Sequence, residues 1–324
     1  MEGVGSPAPG CPPVIYLGGL GRSGSTLLER LLGELPGVCP AGEVVHLWHR
    51  GILGGERCGC GEPFPDCPFW HQVGARAFGG WDQVDVERIA DLRSRVDRTR
   101  FVPLLASPVT RASFRQSLDE YVQYYRRVYT AIGQVSGCQA VIDSSKHASL
   151  AFCLRDCGVD LRVVHIVRDS RAVAYSWSRA TARPETLNEM RMPTYPAASA
   201  ATRWNVQNAA LHLLARSGTP TLLIRYENLV RAPAATLRHI ADFAGLPGGR
   251  LDLGFLGVGD AGEQWADLAA AHTVSGNPMR FTSGRVPIRR DVRWLTGMPA
   301  TQRRLVTALT LPLMARYGYA RRTA

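Results

Sequence analysis

The chain has 324 residues, 45% of them hydrophobic, and a formal net charge of +11. It is long enough to bury a full core as one large domain or two small ones, and no apolar run approaches the ~18–20 residues that cross a bilayer. Of its 38 Lys and Arg residues only one, Lys146, is lysine. With no basic run and no aromatic RNA-binding pattern, this excess reads as compositional bias plus anionic small ligands, and no nucleic-acid partner is expected.

In chain order, residues 1–13 are rich in Gly and Pro and lack the charged-then-apolar pattern of a secretory leader, so a flexible N-terminus and a cytoplasmic location are expected. The eight cysteines then read as reduced thiols. A short apolar run over 14–17 predicts a strand, followed by a glycine-rich turn and a helix over 25–34. From Gly19 to Thr26 the turn has the spacing G-x-x-x-x-G-K-[ST], except that Ser25 stands where the lysine belongs. Backbone N–H groups at a helix start still hold a terminal phosphate. The charge that reaches the outer phosphates of a nucleoside triphosphate is missing.

Further on, Cys58, Cys60, Cys67 and His71 form a C-x-C-x6-C-x3-H set that offers four zinc ligands. The spacing is not that of the common zinc fingers, and a Pro/Gly loop pinned by buried thiols, Phe69 and Trp70 is preferred, so no metal is assigned. Over 112–135, Leu118, Tyr121, Val122, Tyr125, Val128, Tyr129 and Ile132 recur at helical spacing and predict a core-facing stripe. Strands are expected at 140–143, 161–167 and 220–226, and helices at 147–156, 170–181, 200–216 and 233–244. Residues 182–198 read as a lid loop, and 246–298 as irregular but containing Arg280, Arg285, Arg289 and Arg290. Strands alternating with helices give an α/β, P-loop NTPase-like three-layer fold, with a mostly parallel central sheet flanked by helices, as one domain over 1–324. Ligands belong at the carboxyl ends of its strands.

Two of those ends carry chemistry. The strand over 161–167 delivers Arg168, whose planar fork suits phosphate, and Ser176 on the next helix can join it. Asp169 beside it reads either as an ion pair and helix cap or as a magnesium ligand. The second reading is weakened by the missing lysine. Lys146 closes Asp143-Ser144-Ser145-Lys146. A lone lysine in an arginine-rich chain points to a need for a compact ammonium.

Gly21-Arg22-Ser23-Gly24-Ser25-Thr26-Leu27 resembles the 5′-phosphosulfate loop of sulfotransferases that use 3′-phosphoadenosine 5′-phosphosulfate (PAPS). Arg168 with Ser176 resembles their 3′-phosphate site, and Arg225-Tyr226-Glu227-Asn228-Leu229-Val230 their segment with a tyrosine near the adenine. The resemblance covers residues 14–245 and implies metal-independent sulfuryl transfer from PAPS to a hydroxyl or amine, leaving PAP. The acceptor would be a small molecule, carbohydrate or lipid. It implies Arg22, Ser23, Gly24, Ser25, Thr26, Arg168, Ser176 and Tyr226 as donor-binding residues. It also implies a catalytic Lys146, stabilising charge on the leaving oxygen, and suggests Glu43, in Pro40-Ala41-Gly42-Glu43, as the base; His46, His49 and His147 compete for that role. The family's C-terminal Arg-Lys-Gly segment is absent, and Arg280 in Ser275–Phe281 is its nearest counterpart. A kinase or other ATP-dependent phosphotransferase is the alternative enzyme, and a basic polyanion-binding module the alternative without catalysis.

Overall fold

The structure is a computed structural model that describes residues 10–107, 111–156, 158–180, 182–184, 191–246, 251–260 and 262–320. Most of the expected flexible N-terminus (1–9) and the middle of the expected lid (185–190) lie outside the described residues. The chain begins with β1 (Val14–Gly18), α1 (Ser25–Gly33) and β2 (Val38–Pro40), then α2 (Pro68–Phe78), α3 (Val86–Val96), α4 (Val102–Leu105) and α5 (Ala112–Ser136). The central part is β3 (Ala140–Lys146), α6 (Ala148–Arg155), β4 (Leu161–Val167), α7 (Ser170–Trp177) and α8 (Ala197–Arg216). There follow β5 (Thr221–Arg225), α9 (Tyr226–Arg231), α10 (Pro233–Ala244), β6 (Leu256–Val258), β7 (Gln264–Leu268), β8 (Gly284–Ile288), α11 (Trp294–Gly297) and α12 (Ala300–Arg316).

The central sheet has the order β2-β3-β1-β4-β5, and every pairing in it is parallel. Because successive strand residues face opposite sides, β1 divides its side chains between two cores. Val14 and Tyr16 pack with the stripe of α5 and with α2, α3 and α6. Ile15 and Leu17 pack with α1, α9 and α10. This is the expected three-layer α/β arrangement, and all seven stripe residues of α5 are buried.

Four expected strands are β1, β3, β4 and β5. The strand expected over 140–143 runs on to Lys146 because its polar end is satisfied inside the protein: Tyr129 Oη donates to Asp143 (2.6 Å) and Ser144 Oγ to Glu29 (2.8 Å). The helix expected to reach 181 stops at Trp177, whose indole N–H donates to Gly21 O (2.9 Å). The short β2, which ends in Pro40, gave no periodic signal. The irregular reading of 246–298 is corrected, since its described residues include an antiparallel sheet, β6-β7-β8. Ala266, Leu268, Val286 and Ile288 bury one face of that sheet against the α1 and α10 side of the core. Its strands are short and glycine-bearing, and Pro287 sits on an edge strand, so alternation was hidden.

One backbone crossing ties this second region to the central sheet. Gly42 has φ +85° and pairs with Val274 in an isolated parallel bridge. A Cβ there would lie 2.3 Å from Val274 O, whereas one at Gly55 (φ +57°) would meet nothing within 4 Å. Both substitutions incur the left-handed strain of about 1–2 kcal/mol, but only Gly42→Ala must also push two backbones apart. Urea denaturation is expected to show Gly42→Ala destabilised by at least ~2 kcal/mol more than Gly55→Ala. Equal losses would mean that the crossing tolerates a side chain.

Candidate active site

The carboxyl ends of all five parallel strands open onto one cavity of about 1230 Å³, more than a drug-sized ligand fills. β1 leads into the loop Gly19–Thr26, in which Arg22 (φ +75°) and Gly24 (φ +93°) turn the chain through left-handed conformations ahead of α1. Alternating backbone of this kind presents successive N–H groups to an anion. Gly24 has no room for a side chain, because a Cβ would lie 2.5 Å from the ring of Tyr226. Arg22, Gly24, Ser25 and Thr26 line the cavity. Ser23 does not: it is buried beneath the loop, with its N–H donating to Leu20 O (3.2 Å).

β2 and β3 deliver the two residues expected to act on the reacting groups. Lys146 Nζ donates to Glu43 Oε1 and to Ser144 O (3.0 Å), and His46 Nε2 lies 3.4 Å from Glu43 Oε2. Burial pushes the Glu43 carboxyl up, but Lys146, His46 and Arg50 outweigh it and hold the group at about 2, so it is ionised at neutral pH. Burial brings His46 down to about 3 and lowers His147 as well, leaving both as neutral imidazoles. His49 is exposed and is not among the cavity's lining residues. Lys146 itself has φ +71°, rare for a side chain of its size, and its carbonyl accepts from Gln207 Nε2 and Gly19 N (3.4 Å).

β4 and β5 supply the other end. Arg168 is buried, donates to Arg22 O (3.0 Å) and Asp291 O (3.2 Å), and lies 3.3 Å from the Asp291 carboxylate. Its guanidinium stands 4.6 Å from the centre of the Tyr226 ring. Ser176 lines the same cavity from α7, and Trp177 closes the loop side with the Arg22 guanidinium 5.1 Å from its ring centre. The described part of the expected lid, including Met192, Pro193 and Tyr195, also faces the cavity.

One expectation is corrected, and two readings left open by the sequence are resolved. Arg280 is buried with its guanidinium on Thr273 O (2.6 Å) and Arg57 O (2.6 Å), and it is not a lining residue; its short Pro-flanked turn gave no sign of which way it faced. Asp169 caps α7, accepting from Arg171 N (2.9 Å), and both its oxygens are held by the Arg171 guanidinium, so it is the ion pair and cap. His71 is exposed, and His272 takes its place beside Cys58, Cys60 and Cys67. Sequence reasoning missed Arg50, Gln207, Asp291 and Arg293 as lining residues. Arg289 was visible only as one of several arginines in an unassigned region.

Residues 159–249, from just before β4 to just beyond α10, match the profile of the sulfotransferase family. Human carbohydrate sulfotransferase 2 is 29% identical over 209 residues, which cover 54% of this chain and 38% of that protein. The mouse protein of the same name is 27% identical with the same coverage. The chain thus spans well under half the length of these curated relatives. Among solved structures, the sulfotransferase domain from the curacin biosynthetic pathway is similar over 95% of this chain and 98% of its own, at 17% identity and a TM-score of 0.49.

Beneath the cavity a second carboxyl fixes the first. Glu29, fully buried on α1, accepts from Gly42 N (2.7 Å) and Ser144 Oγ (2.8 Å), so it clamps the residues beside Glu43 and Lys146 to the phosphate-type loop. Burial raises it to about 7, against the opposing pull of Ser144 and Lys146. A carboxyl raised on folding stabilises the protein at low pH, and that contribution is lost as pH rises through the folded value. Between pH ~5 and ~8 the wild type is therefore expected to lose on the order of 3 kcal/mol relative to Glu29→Gln. Parallel pH–stability curves for the two proteins in urea denaturation would contradict this.

Proposed function

We propose, from the match over residues 159–249 and the carbohydrate sulfotransferase relatives, that the chain is a sulfotransferase-family member that moves a sulfuryl group from PAPS to a hydroxyl or amine by in-line displacement without a metal. The observation that supports this most directly is the convergence, on one cavity, of a lysine-less phosphate loop, Arg168 and the Lys146–Glu43 pair. The loop N–H groups of Arg22, Gly24, Ser25 and Thr26 would hold the 5′-phosphosulfate, and Arg168 with Ser176 the 3′-phosphate, with the adenine near Tyr226. Arg168 is paired with Asp291, so a phosphate must displace that carboxylate to reach it.

Glu43 accepts the acceptor's proton as the new oxygen–sulfur bond forms. The bond from sulfur to the 5′-phosphate oxygen breaks, its electron pair stays on that oxygen, and Lys146 stabilises the charge with the loop N–H groups. A carboxylate held at about 2 by Lys146 is a weak base. Moving the ammonium onto the leaving oxygen removes much of that attraction and strengthens the base when it is needed. His46 and His147, both neutral, line the cavity beside Glu43, where an acceptor hydroxyl on a small molecule, carbohydrate or lipid would lie. A single domain and a cytoplasmic location belong to this proposal.

Calorimetry with PAP and ADP, with and without magnesium, is the test. The lost 3′-phosphate contact predicts PAP binding ~10–100-fold tighter than ADP with no magnesium requirement. Tighter ADP binding, or strict dependence on magnesium, would support a phosphotransferase instead. A polyanion-binding module would show steep salt dependence and indifference to changes at Glu43 and Lys146. Lys146→Arg is expected to keep PAP binding within about threefold while lowering labelled-sulfuryl transfer ~100-fold, a cost typical of removing one donor to a developing oxyanion. Full transfer by that variant would remove Lys146 from the chemistry.

A further inference from the structure

We propose that Cys58, Cys60, Cys67 and His272 bind one zinc ion in a closed, structural Cys3His site. Cys67 Sγ lies 3.6 Å from Cys58 Sγ, 3.8 Å from Cys60 Sγ and 3.3 Å from His272 Nδ1, and Cys58 Sγ lies 3.9 Å from that same nitrogen. All four ligand atoms fall within 4.8 Å of one another. Zinc–sulfur bonds of about 2.3 Å in a tetrahedron place neighbouring sulfurs about 3.8 Å apart, and a zinc–nitrogen bond of about 2.1 Å brings the S···N edge to about 3.6 Å. A disulfide needs about 2.05 Å, far shorter than these separations. Three thiols and one imidazole converging this closely suit a single soft, tetrahedral ion.

The surroundings of the cluster are those of a metal site. The loop is wound tightly, with Cys58 N donating to Glu62 O (2.8 Å) and Gly61 N to Cys58 O (2.9 Å). Phe69 stacks on the His272 ring (5.0 Å, 15°), and the Trp70 indole N–H donates to the backbone His272 O (3.0 Å), so one face of the ring is covered and the backbone that carries it is held.

The ion would join two segments about 205 residues apart in sequence. Next to His272, Thr273 and Val274 make the backbone contacts that reach the catalytic region. Gly59 N donates to Thr273 O (2.9 Å), and Glu43 N donates to Val274 O (2.7 Å). The site therefore braces the underside of Glu43 while none of its four residues lines the cavity, and it is independent of which group is transferred.

Zinc measured by inductively coupled plasma mass spectrometry on the full chain, expressed with added zinc and purified under reducing conditions, is expected at about one ion per chain. His71→Ala should keep it. His272→Ala and the double variant Cys58→Ser, Cys67→Ser should lose most of it. Cobalt loaded into the wild type should give the intense visible absorption of tetrahedral cobalt thiolate, a readout that does not depend on the variants folding. A wild type without bound metal that gains none on incubation with zinc would overturn the proposal. Loss of zinc from His71→Ala with retention by His272→Ala would do the same.

Discussion

At the floor of the cavity an ammonium and a carboxylate are pressed together by backbone that has little freedom to move. Lys146 stands at the end of β3 in a left-handed conformation, held through its carbonyl by Gln207 and Gly19. Glu43 is fixed from below, through its own N–H on Val274 and through Gly42 N on Glu29. Glu29 in turn belongs to the helix that follows the phosphate-type loop. The loop, Glu43 and Lys146 are thus one hydrogen-bonded unit, and a shift in any of the three is felt by the others.

The same logic recurs at the other end of the cavity. Arg168 is paired with Asp291, as Lys146 is with Glu43. Cations gathered in a poorly solvated site repel one another, and an internal carboxylate at each position lowers that cost until a ligand arrives. On the proposed reading, each phosphate of the donor replaces a carboxylate of the protein: one exchange frees Arg168 for the 3′-phosphate, and the other frees Glu43 to act as a base. On the same reading the bridge between Gly42 and Val274, with the Cys3His cluster behind it, would brace the floor against these exchanges.

Much of this was legible in the sequence, and the limits have physical causes. The turn from Gly19 to Thr26 is a local motif whose conformation follows from its glycines, and β3, β4 and β5 are β-branched runs ended by breakers. Lys146 stood out as a lone lysine among arginines. What could not be read was direction and distant company. A short turn such as Asn277–Phe281 does not reveal whether its arginine faces a cavity or two buried carbonyls. Spacing offered His71 as the fourth partner of three cysteines, because nothing local marks a histidine some 200 residues away. The second sheet escaped notice because its strands are too short, and too broken by Gly and Pro, to show a period of two.

The central claim is that the donor's 5′-phosphate and Glu43 compete for Lys146. It is tested most directly by PAP affinity across a double-mutant cycle of Glu43→Gln and Lys146→Met. Competition predicts that Glu43→Gln tightens PAP binding when Lys146 is present and has no such effect in the Lys146→Met background. Additive effects, or weaker PAP binding by Glu43→Gln in both backgrounds, would contradict it.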